Sequence, residues 1–117
     1  MRRLAAAAIL ALAFAVPARA QQATHLLVIV GLGGDLENAD RFHQWAATLV
    51  DAARGRYALP SESVIYLGED PSRDPTRISA RSTREGIATA VGKIAGLARP
   101  GDRVLIEKAG EIIPQVL

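Results

Sequence analysis

The groups with the chemistry for catalysis or ligand binding in this 117-residue sequence are a glycine cluster, two histidines and 12 scattered carboxylates. Gly31-Leu32-Gly33-Gly34-Asp35 follows an apolar run and precedes a helical periodicity, the setting of a dinucleotide-binding turn. Two features oppose that reading. Leu36 stands where the G-x-G-x-x-G pattern needs its last glycine, the one that lets helix and strand pack closely. The ribose-binding acid belongs at the end of the second strand, about 20 residues on, whereas that strand here ends near Glu69. The simpler reading is a tight turn whose glycines accept positive φ. A P-loop is excluded because no Gly-Lys-Ser/Thr follows the first strand.

His25 opens a strand and His43 flanks a helical stripe, so neither has a spacing that suggests a metal, and structural or surface roles are expected of both. Ser82 is expected to act as a helix cap. The sequence contains no cysteine, which removes thiolate chemistry, disulfides and cysteine metal sites together. No two carboxylates are placed by sequence to share a proton, and two Phe, two Tyr and one Trp are too few for a base-stacking platform. The sequence therefore assigns no catalytic residue, no cofactor-binding residue, no metal ligand and no cofactor.

The elements that would position these groups are legible from periodicity. Thr24–Val30 (THLLVIV) is a continuous apolar, β-branched run of the kind found in strands buried on both faces. Val64–Leu67 (VIYL) repeats it before Gly68, and Arg103–Ile106 (RVLI) repeats it after Pro100-Gly101-Asp102. Between the first two strands, Phe42, Trp45, Ala46, Leu49, Val50 and Ala53 draw one stripe along a helix, with Asp35 or Asn38 as cap. A second helix is expected to open with a Ser82–Glu85 capping box and to bury Ile87, Val91, Ile94 and Ala98. Its Gly86, Gly92 and Gly96 each cost up to about 1 kcal/mol against alanine, unless they permit close approach to the sheet. Gly68–Arg81 reads as a charged, proline-broken connection, solvated rather than ligand-binding. The order strand, helix, strand, helix, strand predicts a three-layer α/β/α fold on a small parallel sheet with right-handed crossovers.

The first 20 residues read as a cleavable secretory signal. Arg2 and Arg3 form the positive n-region, Leu4–Val16 the short apolar h-region, and Ala18-Arg19-Ala20 the small-x-small cleavage pattern before Gln21. The apolar run is shorter than the roughly 20 residues that a membrane span needs, so no stable span is expected after cleavage. Loss of Arg2, Arg3 and Arg19 from 14 basic residues leaves 11 against 12 acidic ones. The net charge of +2 therefore belongs to the signal, and a nucleic-acid partner is not expected. The expected location is periplasmic or secreted.

Taken together, LLVIVGLGG, FHQWAATLVDAA, VIYLGED, STREGI and RPGDRVLI resemble exported bacterial caspase-like or legumain-like cysteine peptidase domains. The resemblance covers roughly residues 24–106 and implies an incomplete caspase-like fold: residues 21–106 as its N-terminal part and 107–117 as a divergent tail. In that family the third strand runs into His-Gly and the next strand delivers the cysteine. Here Glu107-Lys108-Ala109-Gly110 stands at the histidine position, so no family catalytic residue carries over and no turnover is expected. The resemblance also implies that the first strand is flanked by the second and third, leaving the third strand's edge open to self-association or a protein partner. The leading expectation is a truncated, non-catalytic portion of such a domain. The alternatives are a small periplasmic binding or interaction module and, least favoured, a small nucleotide binder.

Overall fold

The computed structural model describes residues 22–110; the expected signal segment and the last seven residues of the tail lie outside them. Thr24–Val30 forms β1, Leu36–Arg54 α1, Val64–Gly68 β2, Ala80–Arg81 β3, Arg84–Leu97 α2 and Arg103–Ala109 β4. Single 3-10 turns occupy Ser61–Ser63 and Pro71–Arg73. The sheet is parallel throughout, in the order β3-β2-β1-β4.

Alternation along the strands sorts the core into two layers. Leu26, Val28, Val30, Val64 and Tyr66 turn toward α1 and meet Ala46, Val50 and Ala53. Leu27, Ile29, Ile65 and Leu67 turn the other way and meet Ala90 and Ile94 of α2. A sheet buried on both faces explains why β1 and β2 read as unbroken apolar runs. The architecture is α/β, with one helix on each face of a small parallel sheet.

The expected cap of the first helix is present, and other local expectations change. Asp35 caps α1, its carboxylate accepting from the Asn38 N–H at 2.8 Å. The α2 cap is Thr83 rather than Ser82, with the Thr83 hydroxyl accepting from Gly86 N–H at 3.1 Å. Ser82 is still held by the sheet, its N–H bonded to the Gly68 carbonyl at 2.9 Å, so the helix starts one residue later. Val91 is 45 % exposed, and the covered face of α2 is instead Ile87, Ala90 and Ile94. β4 runs three residues past Ile106, with Glu107, Lys108 and Ala109 paired to Val28, Ile29 and Val30.

The Gly68–Arg81 connection is exposed along most of its length, as expected, but it is not structureless. It contributes the short edge strand β3, paired to Leu67 and Gly68. It also seats Ile78, 5 % exposed, in the α1-side core. One isoleucine among charged and turn residues has no period, which is why the sequence pattern does not announce it.

Candidate functional site

Two places carry arrangements worth weighing as sites: the polar groups at the carboxyl ends of β1 and β2, and the free edge of β4.

The first is a network that the sequence reading does not assemble. His43 lies on α1 three residues before Ala46 and seven before Val50, so it shares their sheet-facing side. Its Nδ1 lies 2.9 Å from the Tyr66 hydroxyl on β2, and its Nε2 lies 3.2 Å from Asp74 Oδ2. Asp74 also accepts from Arg77 Nη1 at 2.8 Å, and Arg77 forks onto Asp51 of α1 through Nε at 2.8 Å and Nη2 at 2.9 Å. The Arg77 guanidinium, ahead of the Thr76 hydroxyl, holds the Asp74 carboxyl below the usual range; Arg77 likewise lowers Asp51.

A carboxylate, an imidazole and a hydroxyl in series have the connectivity of a nucleophile-activating triad. The chemistry runs the other way here. Asp74 Oδ2 meets His43 Nε2 only as a close polar contact at 3.2 Å, whereas Nδ1 and the Tyr66 hydroxyl share a hydrogen bond. Burial first, then the charges of Asp74 and Glu69, push the Tyr66 phenol up to about 12, so it is held protonated. Tyr66 is 2 % exposed. The adjoining cleft, lined by Gly31, His43, Glu69, Asp70 and Arg73 among others, has a volume of about 40 Å³. That is far below the 300 Å³ or more, roughly, of a small-molecule pocket. The network is a clamp. With the Arg73–Asp40 pair and the Arg54–Thr76 carbonyl bond at 3.1 Å, it fastens the β2–β3 connection to α1.

The glycine turn also lacks a vacant anion site. The Gly33 N–H donates to Glu69 Oε1 at 2.8 Å, so a carboxylate of the chain occupies the position a phosphate would need. Leu36, where the fingerprint requires glycine, is 83 % exposed.

His25 has a structural partner. It is 3 % exposed, and its Nε2 lies 3.2 Å from Asp102 Oδ2. Asp102 also accepts from the backbone N–H groups of Arg99 at 2.9 Å and Ala23 at 3.1 Å. These bonds, Arg99 first and then His25 and Ala23, hold its carboxyl below the usual range. Pro100 and Gly101, at φ 93°, occupy the middle of a turn closed by Asp102 N–H to the Arg99 carbonyl at 2.9 Å. Proline followed by a positive-φ glycine is the composition of a type II turn. The Pro-Gly-Asp phrase is thus a tie between the start of β1 and the start of β4. Among the described residues no cluster of three or more His, Asp or Glu side chains is arranged to hold a metal.

The second place is open. Among the described residues β4 pairs only with β1, and along it Val104, Leu105 and Ile106 are 43 %, 49 % and 57 % exposed. Among the described residues nothing covers either face of the strand, because α1 and α2 pack over β1 and β2. On the α1 side an apolar groove of about 570 Å³ runs beside the strand, lined by Leu26, Leu49, Ala53, Tyr57, Leu59 and Leu105. Among the described residues no helix is long and apolar enough to cross a membrane.

No protein-family model matches the chain, and neither the curated proteins nor the solved structures include a detectable match.

Proposed function

We propose that this chain is an exported, non-catalytic N-terminal portion of a caspase- or legumain-like domain, and that its biochemical property is protein binding at the free edge of β4. The observation that carries the binding half of this reading is that edge. A seven-residue parallel strand with three exposed aliphatic side chains and neither face covered has the form of an internal strand awaiting a neighbour. The placement of β1 between β2 and β4, with a helix on each face, supports the kinship. The lack of any cysteine and the clamping role of His43 and His25 support the absence of peptidase chemistry.

Hydrogen exchange tests the edge. In a three-layer sheet the amides of Arg103, Leu105 and Glu107 are held by β1, while those of Val104, Ile106 and Lys108 point outward. With the edge occupied, the outward set is protected as strongly as the inward set; rapid exchange of the outward set under every condition sinks the binding reading. Assays against a fluorogenic peptide library are expected to show no turnover, and measurable hydrolysis by the pure chain overturns the non-catalytic reading. Mass spectrometry of the exported product is expected to find Gln21 at its amino terminus; a product retaining Met1 removes the cleaved-signal reading.

An interaction module without peptidase kinship would use the same edge, since Arg73, Asp74 and Arg77 of the β2–β3 connection are engaged in the clamp. The DNA beyond the Leu117 codon separates the two. A frame encoding a strand ending in His-Gly, then a strand with cysteine, supports kinship; its absence favours the module.

A further inference from the structure

Resting on the edge-binding reading above, we infer that the occupant of the β4 edge is a second copy of this chain, paired antiparallel about Leu105. The free edge has a fixed parity. The Arg103 N–H donates to the Ala23 carbonyl at 2.9 Å, and the Ala109 carbonyl accepts from the Gly31 N–H at 2.8 Å. Odd-numbered residues of β4 thus turn their backbone groups toward β1. Alternation leaves Val104, Ile106 and Lys108 with N–H and C=O directed outward.

An antiparallel neighbour pairs outward-directed residues with outward-directed residues, so that each exchanges two hydrogen bonds with the residue opposite. With two identical strands, the dyad through Leu105 satisfies this rule. Val104 lies opposite the partner's Ile106, and Ile106 opposite the partner's Val104, as hydrogen-bonded pairs. Leu105 lies opposite its own copy in the closer, non-hydrogen-bonded arrangement. Arg103 then lies opposite the partner's Glu107, and Glu107 opposite the partner's Arg103.

Side-chain direction agrees with this register. Arg103, Leu105 and Glu107 are in register with Thr24, Leu26 and Val28 and share the α1-side face. The pairing therefore makes one row of Arg–Glu, Leu–Leu and Glu–Arg on that face, with Val–Ile and Ile–Val on the other. Shifting the dyad to Ile106 keeps the backbone parity but sets Glu107 opposite Leu105 and Arg103 opposite Ala109. Shifting it to Val104 sets Arg103 opposite Leu105. Only the Leu105 dyad matches charge to opposite charge and aliphatic to aliphatic, and each such pair contributes to sheet stability. Arg103 and Glu107 are exposed on the single chain, so both are free to serve a neighbour. The product is a continuous eight-stranded sheet in which the two α1-side grooves adjoin across the Leu105 pair.

Charge reversal across the dyad tests the inference by light scattering at matched concentrations. The purified chain is expected to be a dimer at micromolar concentration. Arg103→Glu places two like-charged pairs across the dyad, and Glu107→Arg does the same with the opposite sign. Each is expected to weaken dimerisation by at least about tenfold while the circular dichroism of the fold is retained. An equimolar mixture of these two variants restores opposite charges at both positions and is expected to recover the dimer. A chain that stays monomeric to hundreds of micromolar, a dimer indifferent to either reversal, or a mixture that fails to associate overturns the inference. Protected outward amides in a monomer leave the edge-binding reading standing and remove the second copy as occupant. A dimer whose Val104 and Ile106 amides exchange freely removes both.

Discussion

At the scale of single residues, three carboxylates of the described residues fasten one element to another, and their protonation reflects it. Asp102, Asp74 and Asp51 are all held below the ordinary carboxylate range by the groups that bond them. Above about pH 4 both folded and unfolded forms are ionised and the stabilisation is complete. As pH falls through that value the unfolded chain takes up protons first, so stability declines and continues to decline toward the lower folded values. Asp102→Asn is expected to flatten part of this acid limb in denaturant titrations; an unchanged limb contradicts the tie to Arg99, His25 and Ala23. Tyr66 gives the opposite limb. Its phenol is pushed up to about 12, so between the ordinary value near 10 and about 12 the unfolded chain ionises first and stability falls as pH rises. Tyr66→Phe is expected to cost about 1–2 kcal/mol at neutral pH, by removing the hydrogen bond to His43 Nδ1, and to remove this alkaline contribution. A Tyr66→Phe protein that keeps the wild-type alkaline limb would place the titrating group elsewhere. The sequence half-disclosed this clamp. His43 stands at positions −3 and −7 from Ala46 and Val50, a spacing that marks it as sheet-facing. Asp74 and Arg77 sit in a segment without period, and only the folded chain brings them to it.

At the scale of elements, β1, β2, α1 and α2 were legible because each is long enough for its burial pattern to repeat. β3 was not. Two residues, Ala80 and Arg81, cannot display an alternation; just before them Ile78 packs against Gly68, where a Cβ would lie 3.2 Å from the Ile78 Cδ1. The glycines of α2 illustrate the same limit. Spacing alone does not distinguish a glycine that admits a neighbour from one that merely weakens a helix. A Cβ on Gly86 would collide with the Arg81 carbonyl oxygen, whereas one on Gly92 or Gly96 would meet no atom within 4 Å. Gly92→Ala and Gly96→Ala are therefore expected to stabilise the fold by up to about 1 kcal/mol each. Gly86→Ala is expected to destabilise it, since backbone must move to admit the methyl. Chemical denaturation of the three variants decides this; three changes of the same sign would mean that α2 sits differently on the sheet.

At the scale of the whole molecule, a second copy on the β4 edge would couple folding to association. Among the described residues the strand pairs with one neighbour, β1, and Val104, Leu105 and Ile106 are exposed in the single chain. A second copy on the edge would remove that exposure in the folded state only, so mass action would raise the apparent stability with concentration. A hundredfold increase in chain concentration is worth about 2.7 kcal/mol per dimer. Shared between two chains of this size, that corresponds to a rise in melting temperature of about 5 °C or more. Ile106→Lys places a charge on the part of the strand that a neighbour must cover, a device by which natural sheet edges are kept apart. Ile106 is 57 % exposed in the single chain, so the lone fold should tolerate the lysine. The variant is expected to melt at one temperature across the whole concentration range, near that of the dilute wild-type protein. A sharp wild-type melt that does not move with concentration would mean that β4 is complete without a neighbour, and that its exposed Val104, Leu105 and Ile106 serve no partner of the same kind.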